Sequence, residues 1–176
     1  MKSFRLNPKR SAVLIVDVQE ALFPLVEHPC DVLEKIRLLI QGSRLVEVPV
    51  FASEQYPKGL KPTIQAILDL IPKENVLPSK TKFSAIDVLP NYDEWIVAGI
   101  EAHVCVQQTV ADLLQANKKV VVVNDAISSR SIYDFSTAIA EMRDMGARIS
   151  STEAVLFELV HDAAHPNFKS FSNLIK

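Results

Sequence analysis

Two uninterrupted runs of branched apolar residues constrain this chain more than any other feature. The first is Ser11-Ala12-Val13-Leu14-Ile15-Val16-Asp17, and the second places four consecutive valines, Val120 to Val123, ahead of Asn124 and Asp125. A strand with one wet face alternates apolar and polar side chains. These runs do not, so as strands they must be covered on both faces. Strands of that kind belong to parallel sheets sandwiched between helices.

The remaining segments fit the same scheme. Shorter apolar stretches at 49–53, 75–77, 94–98 and 147–150 predict four more strands. Helical spacing runs through 31–46 (Val32, Ile36, Leu39, Ile40), through 61–70 with Pro62 tolerable in the first turn, and through 104–117. It continues over 131–145, where Gly146 stops it, and over 151–160, which Ser151 or Thr152 can cap, with a last turn or two in 166–174. Strand and helix alternate six times with no linker, low-complexity tract or repeat. The expectation is one α/β domain over 1–176, with its core at about 11–160. It is a three-layer α/β/α sandwich around a six-stranded, mostly parallel sheet.

Composition narrows the classes. With 48% hydrophobic and 23% charged residues the 176-residue chain has the makeup of a soluble globular domain. A net charge of −2 gives no general attraction to nucleic acid, so a nucleic-acid partner is not expected on charge grounds. Two cysteines, Cys30 and Cys105, are too few for a disulfide framework, and no apolar run approaches the roughly 18 residues that span a bilayer. The first ten residues carry Lys2, Arg5, Lys9 and Arg10 without an acid. An import signal there would leave almost no spacer before the first strand. The reading is a short basic arm and a cytoplasmic protein, with a mitochondrion as the alternative.

In parallel sheets ligands gather beyond the carboxyl ends of the strands. Asp17 ends the first expected strand, Lys80 follows the third and Cys105 follows the fourth. A cysteine in the first turn of a helix meets free N–H groups and the positive end of the dipole, which stabilise a thiolate and can hold an oxyanion. Asp17 can take the thiol proton, and Lys80 can hold Asp17 ionised. Such a set suffices to hydrolyse an amide, ureido or related acyl substrate through a thioester on Cys105. Each residue also has a plainer role open to it. Cys105 can be a packing residue, Asp17 a turn former or cap, and Lys82 is placed as well as Lys80. Phe23, Tyr56 and Glu101 are candidate pocket walls, and His103 either lines the site or lies along the helix start. His161 and His165 have i,i+4 spacing, but Pro166 disfavours helix there and no third ligand is evident. His28 reads as loop and Cys30 as packing.

Three motifs then align with a known family. Val16-Asp17-Val18-Gln19, Lys80-Thr81-Lys82-Phe83-Ser84-Ala85 and Gly99-Ile100-Glu101-Ala102-His103-Val104-Cys105-Val106 resemble, in order and spacing, three motifs of the isochorismatase-like cysteine hydrolases. Asp125-Ala126-Ile127-Ser128-Ser129-Arg130 fits as well. The resemblance implies strand order 3-2-1-4-5-6, with the first and fourth strands adjacent. It implies Asp17 as base, Lys80 rather than Lys82 as its partner, and Cys105 as nucleophile. It also implies a cis peptide between Ile100 and Glu101, turning the amides of Glu101 and Cys105 toward an oxyanion. Gln19 joins Phe23, Tyr56 and His103 as expected pocket residues.

Three further stretches look like the eukaryotic isochorismatase-domain proteins: Gly99 to Glu101, Ser53 to Leu60 and His161 to Lys169. Trypanosomatid members of that subgroup have been described as mitochondrial-associated ribonucleases. Nicotinamidases of the superfamily bind a metal through an Asp and two His after the second strand. This chain offers Ser53, Glu54, Gln55 and Tyr56, so neither a metal nor a cofactor is expected. Related proteins are commonly oligomers, so a homo-oligomer acting on a small molecule is expected. A ribonuclease and a non-catalytic interaction protein are the alternatives. Against the first stand the absence of a basic stripe and an aromatic content of 7%. Against the second stands the joint presence of Asp17, Lys80 and Cys105.

Overall fold

All six residues of β1 (Ser11–Val16) are buried, as are all seven of β3 (Glu94–Ile100). In the computed structural model, which describes residues 5–176, these two strands lie side by side at the centre of a parallel sheet. β2 (Val50–Ser53) flanks β1, while β4 (Lys119–Ser128) and β5 (Arg148–Ser150) extend the other edge, giving the order β2-β1-β3-β4-β5. The described helices are α1 (Pro29–Leu45), α2 (Pro57–Leu60), α3 (Gln65–Leu68), α4 (Gln107–Gln115), α5 (Ile132–Asp144), α6 (Thr152–Val160) and α7 (Phe168–Ile175). No helix among the described residues is long and apolar enough to cross a membrane. The basic arm is described from Arg5 onward; Lys2 lies outside the described residues.

Strand side chains alternate between the two faces of the sheet. Val13 and Ile15 of β1 pack with Val32, Ile36, Leu39 and Ile40 of α1 and with residues of α6 and α7. Ala12, Leu14 and Val16 pack on the other face with Val110 and Leu113 of α4 and with Ala138 and Met142 of α5. The three-layer α/β/α arrangement follows from that division.

The sheet has five strands rather than the six expected, so the order 3-2-1-4-5-6 is not reproduced as such. The segment at 75–77 makes one isolated parallel bridge, Val76 to Ala52, in which the Leu77 N–H donates to the Ala52 carbonyl at 2.9 Å. A 3-10 turn (Lys73–Asn75) precedes it and Pro78 follows, leaving too few residues for a ladder. The helix expected at 61–70 shortens to α3. The helix expected from 104 opens instead with a π-helical turn, Ala102–Val106, in which the Val106 N–H reaches back five residues to the Glu101 carbonyl at 3.2 Å.

Gly99 lets β1 and β3 approach at their carboxyl ends. Its φ is +116°, and a Cβ there would lie 2.2 Å from the Val16 carbonyl oxygen and 2.5 Å from the Val16 nitrogen. Both the dihedral and the contact with backbone exclude a side chain. Gly99→Ala is therefore expected to lower stability by about 3 kcal/mol or more in urea unfolding. A loss below about 1 kcal/mol would show that the strands part without difficulty.

Candidate active site

Asp17 is the first residue past β1, fully buried and in the left-handed region at φ 49°, which Asp and Asn tolerate better than most residues. Its N–H donates to the Ser53 carbonyl at 3.2 Å. Its carboxylate accepts twice: Oδ1 from the Ser53 hydroxyl at 2.7 Å, and Oδ2 from the Lys80 ammonium at 2.6 Å. Lys80 arrives from the segment beside β2, where it bridges Gln55 in parallel and donates its N–H to the Glu54 carbonyl at 3.0 Å. Its ammonium also donates to the Phe83 carbonyl at 2.8 Å and the Lys82 carbonyl at 3.3 Å. All three ammonium protons thus have partners inside the protein, which a buried ion pair requires if it is not to destabilise the fold. Lys82 points outward and pairs with Asp87 at 2.7 Å.

Cys105 lies in the π-helical turn, 5% exposed, with its thiol beside the Asp17 carboxylate. The helix-terminus argument anticipates a stabilised thiolate, but the surroundings act in the opposite sense. Burial first, then the negative charge of Asp17 and the hydrogen bond to it, push the thiol far above its ordinary range; the opposing pull of Lys80 is weaker. The resting group is a thiol. The Glu101 carbonyl accepts from the amides on either side of Cys105, Val104 at 3.1 Å and Val106 at 3.2 Å. The peptide between Ile100 and Glu101 is cis.

The other expected residues take varied places. Glu101 is buried, and its carboxylate accepts from the Arg130 Nε at 2.7 Å. The His103 Nδ1 lies 3.0 Å from the Ser129 hydroxyl. Phe23 is half-buried against the α1-side core, and Tyr56 is 52% exposed on the loop whose N–H donates to the Lys80 carbonyl. Gln19 is fully buried: its amide donates to the Gln55 and Lys61 carbonyls at 3.0 and 2.6 Å and accepts the Gln55 N–H at 2.9 Å. Gln19 therefore shapes the site by tying loops together. His161 and His165 lie elsewhere, lining a groove with Pro8 and Val46 at the amino edge. There the Asn167 N–H donates to the His165 Nδ1 at 3.1 Å, stitching a turn. His28 and Cys30 are exposed. Among the described residues no group of three or more His, Cys, Asp or Glu side chains is placed to hold a metal ion.

Sequence reasoning assigned no role to Ser53 beside Asp17 or to Arg130 beside Glu101. The Ser53 contact follows from pairing β1 with β2, whose register sets Val16 against Ser53. Nothing in the spacing of Glu101 and Arg130 announces their pair.

Comparison with known proteins finds relatives along nearly the whole chain. A family model, the isochorismatase domain, matches residues 11–154. The zebrafish (Danio rerio) isochorismatase domain-containing protein 1 is 39% identical over 97% of this chain, which spans 62% of that relative's length. The zebrafish isochorismatase domain-containing protein 2 is 36% identical over 97% of this chain and 89% of its own. A solved structure named as MAR1 ribonuclease from Caenorhabditis elegans superposes with a TM-score of 0.91 at 38% identity, covering 97% of this chain and 92% of that one.

The thiol's surroundings give a signed expectation. Asp17 raises the Cys105 pKa by charge and by hydrogen bonding, so Asp17→Asn removes both effects and leaves Lys80 uncompensated. With Cys30→Ser as background, iodoacetamide should alkylate Cys105 only at alkaline pH. Asp17→Asn should move that profile to lower pH, toward the reference of about 8.5. A profile unmoved by the substitution would place the thiol out of contact with Asp17.

Proposed function

The chain belongs to the isochorismatase domain family, and from that membership and the site we propose a metal-independent cysteine hydrolase of small amide, ureido or related acyl substrates. The observation that carries the reading is a buried thiol beside a carboxylate that is itself held by an ammonium at 2.6 Å. Segment 53–56, where a nicotinamidase-type metal would sit, supplies no histidine.

The thiol being protonated at rest, Asp17 takes its proton as sulfur attacks the substrate carbonyl carbon. The C–S bond forms, and the carbonyl electron pair moves onto oxygen, where the amides of Glu101 and Cys105 donate to it. Lys80 offsets the charge passing through Asp17. Collapse breaks the C–N bond, and the amine leaves with the proton from Asp17. Water then attacks the thioester, giving a proton to Asp17. Sulfur leaves, takes that proton back, and the acid is released. Phe23, Tyr56 and His103 border the substrate in this reading, and Gln19 holds the loops around it.

The name of the worm protein raises a second reading, a ribonuclease. A thiol, one carboxylate and one lysine suit acyl transfer better than phosphodiester cleavage, which calls for paired acid and base histidines or metal ions. One panel separates the two: neutral amides, ureido compounds and single-stranded RNA, each offered to wild type, Cys105→Ala and Asp17→Asn. The expected result is turnover of an amide or ureido substrate, falling about a thousandfold or more in both variants. RNA cleavage that survives Cys105→Ala through repeated purification, with no amide turned over, would sink the hydrolase reading.

A further inference from the structure

The proposed chemistry needs the turn bearing Cys105 and the segment bearing Lys80 in a fixed relation, yet they belong to different elements. One buried side chain touches both. Thr109, fully buried in the first turn of α4, donates its hydroxyl proton to the Cys105 carbonyl at 2.6 Å and accepts the Ala85 N–H at 3.0 Å. Ala85 is two residues past Phe83, whose carbonyl holds the Lys80 ammonium at 2.8 Å. Lys80 holds Asp17, and Asp17 meets the thiol. The connections close a ring: Cys105 carbonyl, Thr109, Ala85, Phe83, Lys80, Asp17, Cys105 thiol.

A threonine that bonds the carbonyl four residues back is ordinary within helices, and that habit accounts for the first contact. It does not account for the second. The Ala85 N–H comes from a separate element and is buried, and without the hydroxyl it has nothing to donate to. Valine fills the same space as threonine but would leave both that N–H and its half of the ring open.

We infer that Thr109 is a positioning residue of this enzyme, setting where the nucleophile turn stands against the Lys80–Asp17 pair. The inference rests on the cysteine-hydrolase reading and adds to it a residue that touches neither substrate nor thiol. It acts through Cys105 and Lys80, so its signature is the coupling between thiol and carboxylate rather than stability alone.

The test is a mutant cycle read with iodoacetamide in a Cys30→Ser background, with circular dichroism confirming the fold of each variant. The quantity is the pH shift in Cys105 alkylation produced by Asp17→Asn, measured with Thr109, Thr109→Ser and Thr109→Val. Thr109→Ser, which keeps the hydroxyl, should retain the full shift; Thr109→Val should cut it to half or less. If Thr109→Val does not fold, Thr109→Ala, smaller and equally without a hydroxyl, replaces it. An undiminished shift in the hydroxyl-free variant overturns the inference, and so does an equal loss in Thr109→Ser, which would point to packing. No shift even with Thr109 in place overturns the hydrolase reading itself, and the inference with it.

Discussion

The site is built on an ion pair placed where ion pairs are most demanding. Asp17 is fully buried and Lys80 nearly so, and they meet at 2.6 Å. Removing two charges from water is a penalty that their attraction offsets only when the remaining donors and acceptors are satisfied. Here they are, by Ser53 on one side and by the Phe83 and Lys82 carbonyls on the other. These contacts fix the end of β1, the end of β2 and the segment after Leu77 relative to one another. Removing either partner leaves the other charge less well compensated in a buried setting.

Topology then brings Cys105 to the pair. The parallel pairing of β1 with β3 sets Val16 opposite Gly99, so Asp17 and the turn after β3 leave the sheet at the same level. Gly99 removes the Cβ that would keep those ends apart, and the π-helical turn carries Cys105 back over Asp17. Burial and the neighbouring carboxylate keep the sulfur protonated. In the proposed chemistry such a thiol would be activated by proton transfer to Asp17 during attack, with no standing thiolate at rest.

Much of this was legible in the sequence. The β-branched runs at 11–17 and 119–124 announced buried parallel strands, because no other environment suits residues that are apolar on both faces. Asp17 and Cys105 could be placed at one edge because Asp17 ends the first run and Cys105 follows the apolar stretch at 94–98. The short elements were not legible. Three residues at 75–77, hemmed by a turn and Pro78, look like a strand locally but can form only a bridge. The π-helical turn has the same apolar spacing as an α-helix start, so its extra residue is invisible to periodicity. The thiol's surroundings were only half legible: a helix N-terminus can be read from a motif, whereas the depth of burial beside Asp17 cannot. Contacts between distant segments, such as Arg130 with Glu101, leave no local trace at all.

A covalent intermediate on one named sulfur is the central claim, and intact-mass spectrometry during turnover reads it directly. Wild-type protein mixed with a turned-over amide and quenched in acid should gain the mass of the acyl group. Peptide mapping should place it on Cys105, and the adduct should decay as product forms. Cys105→Ala should show no adduct. Turnover with no acyl adduct at any quench time, or an adduct mapping to Cys30, would contradict the account.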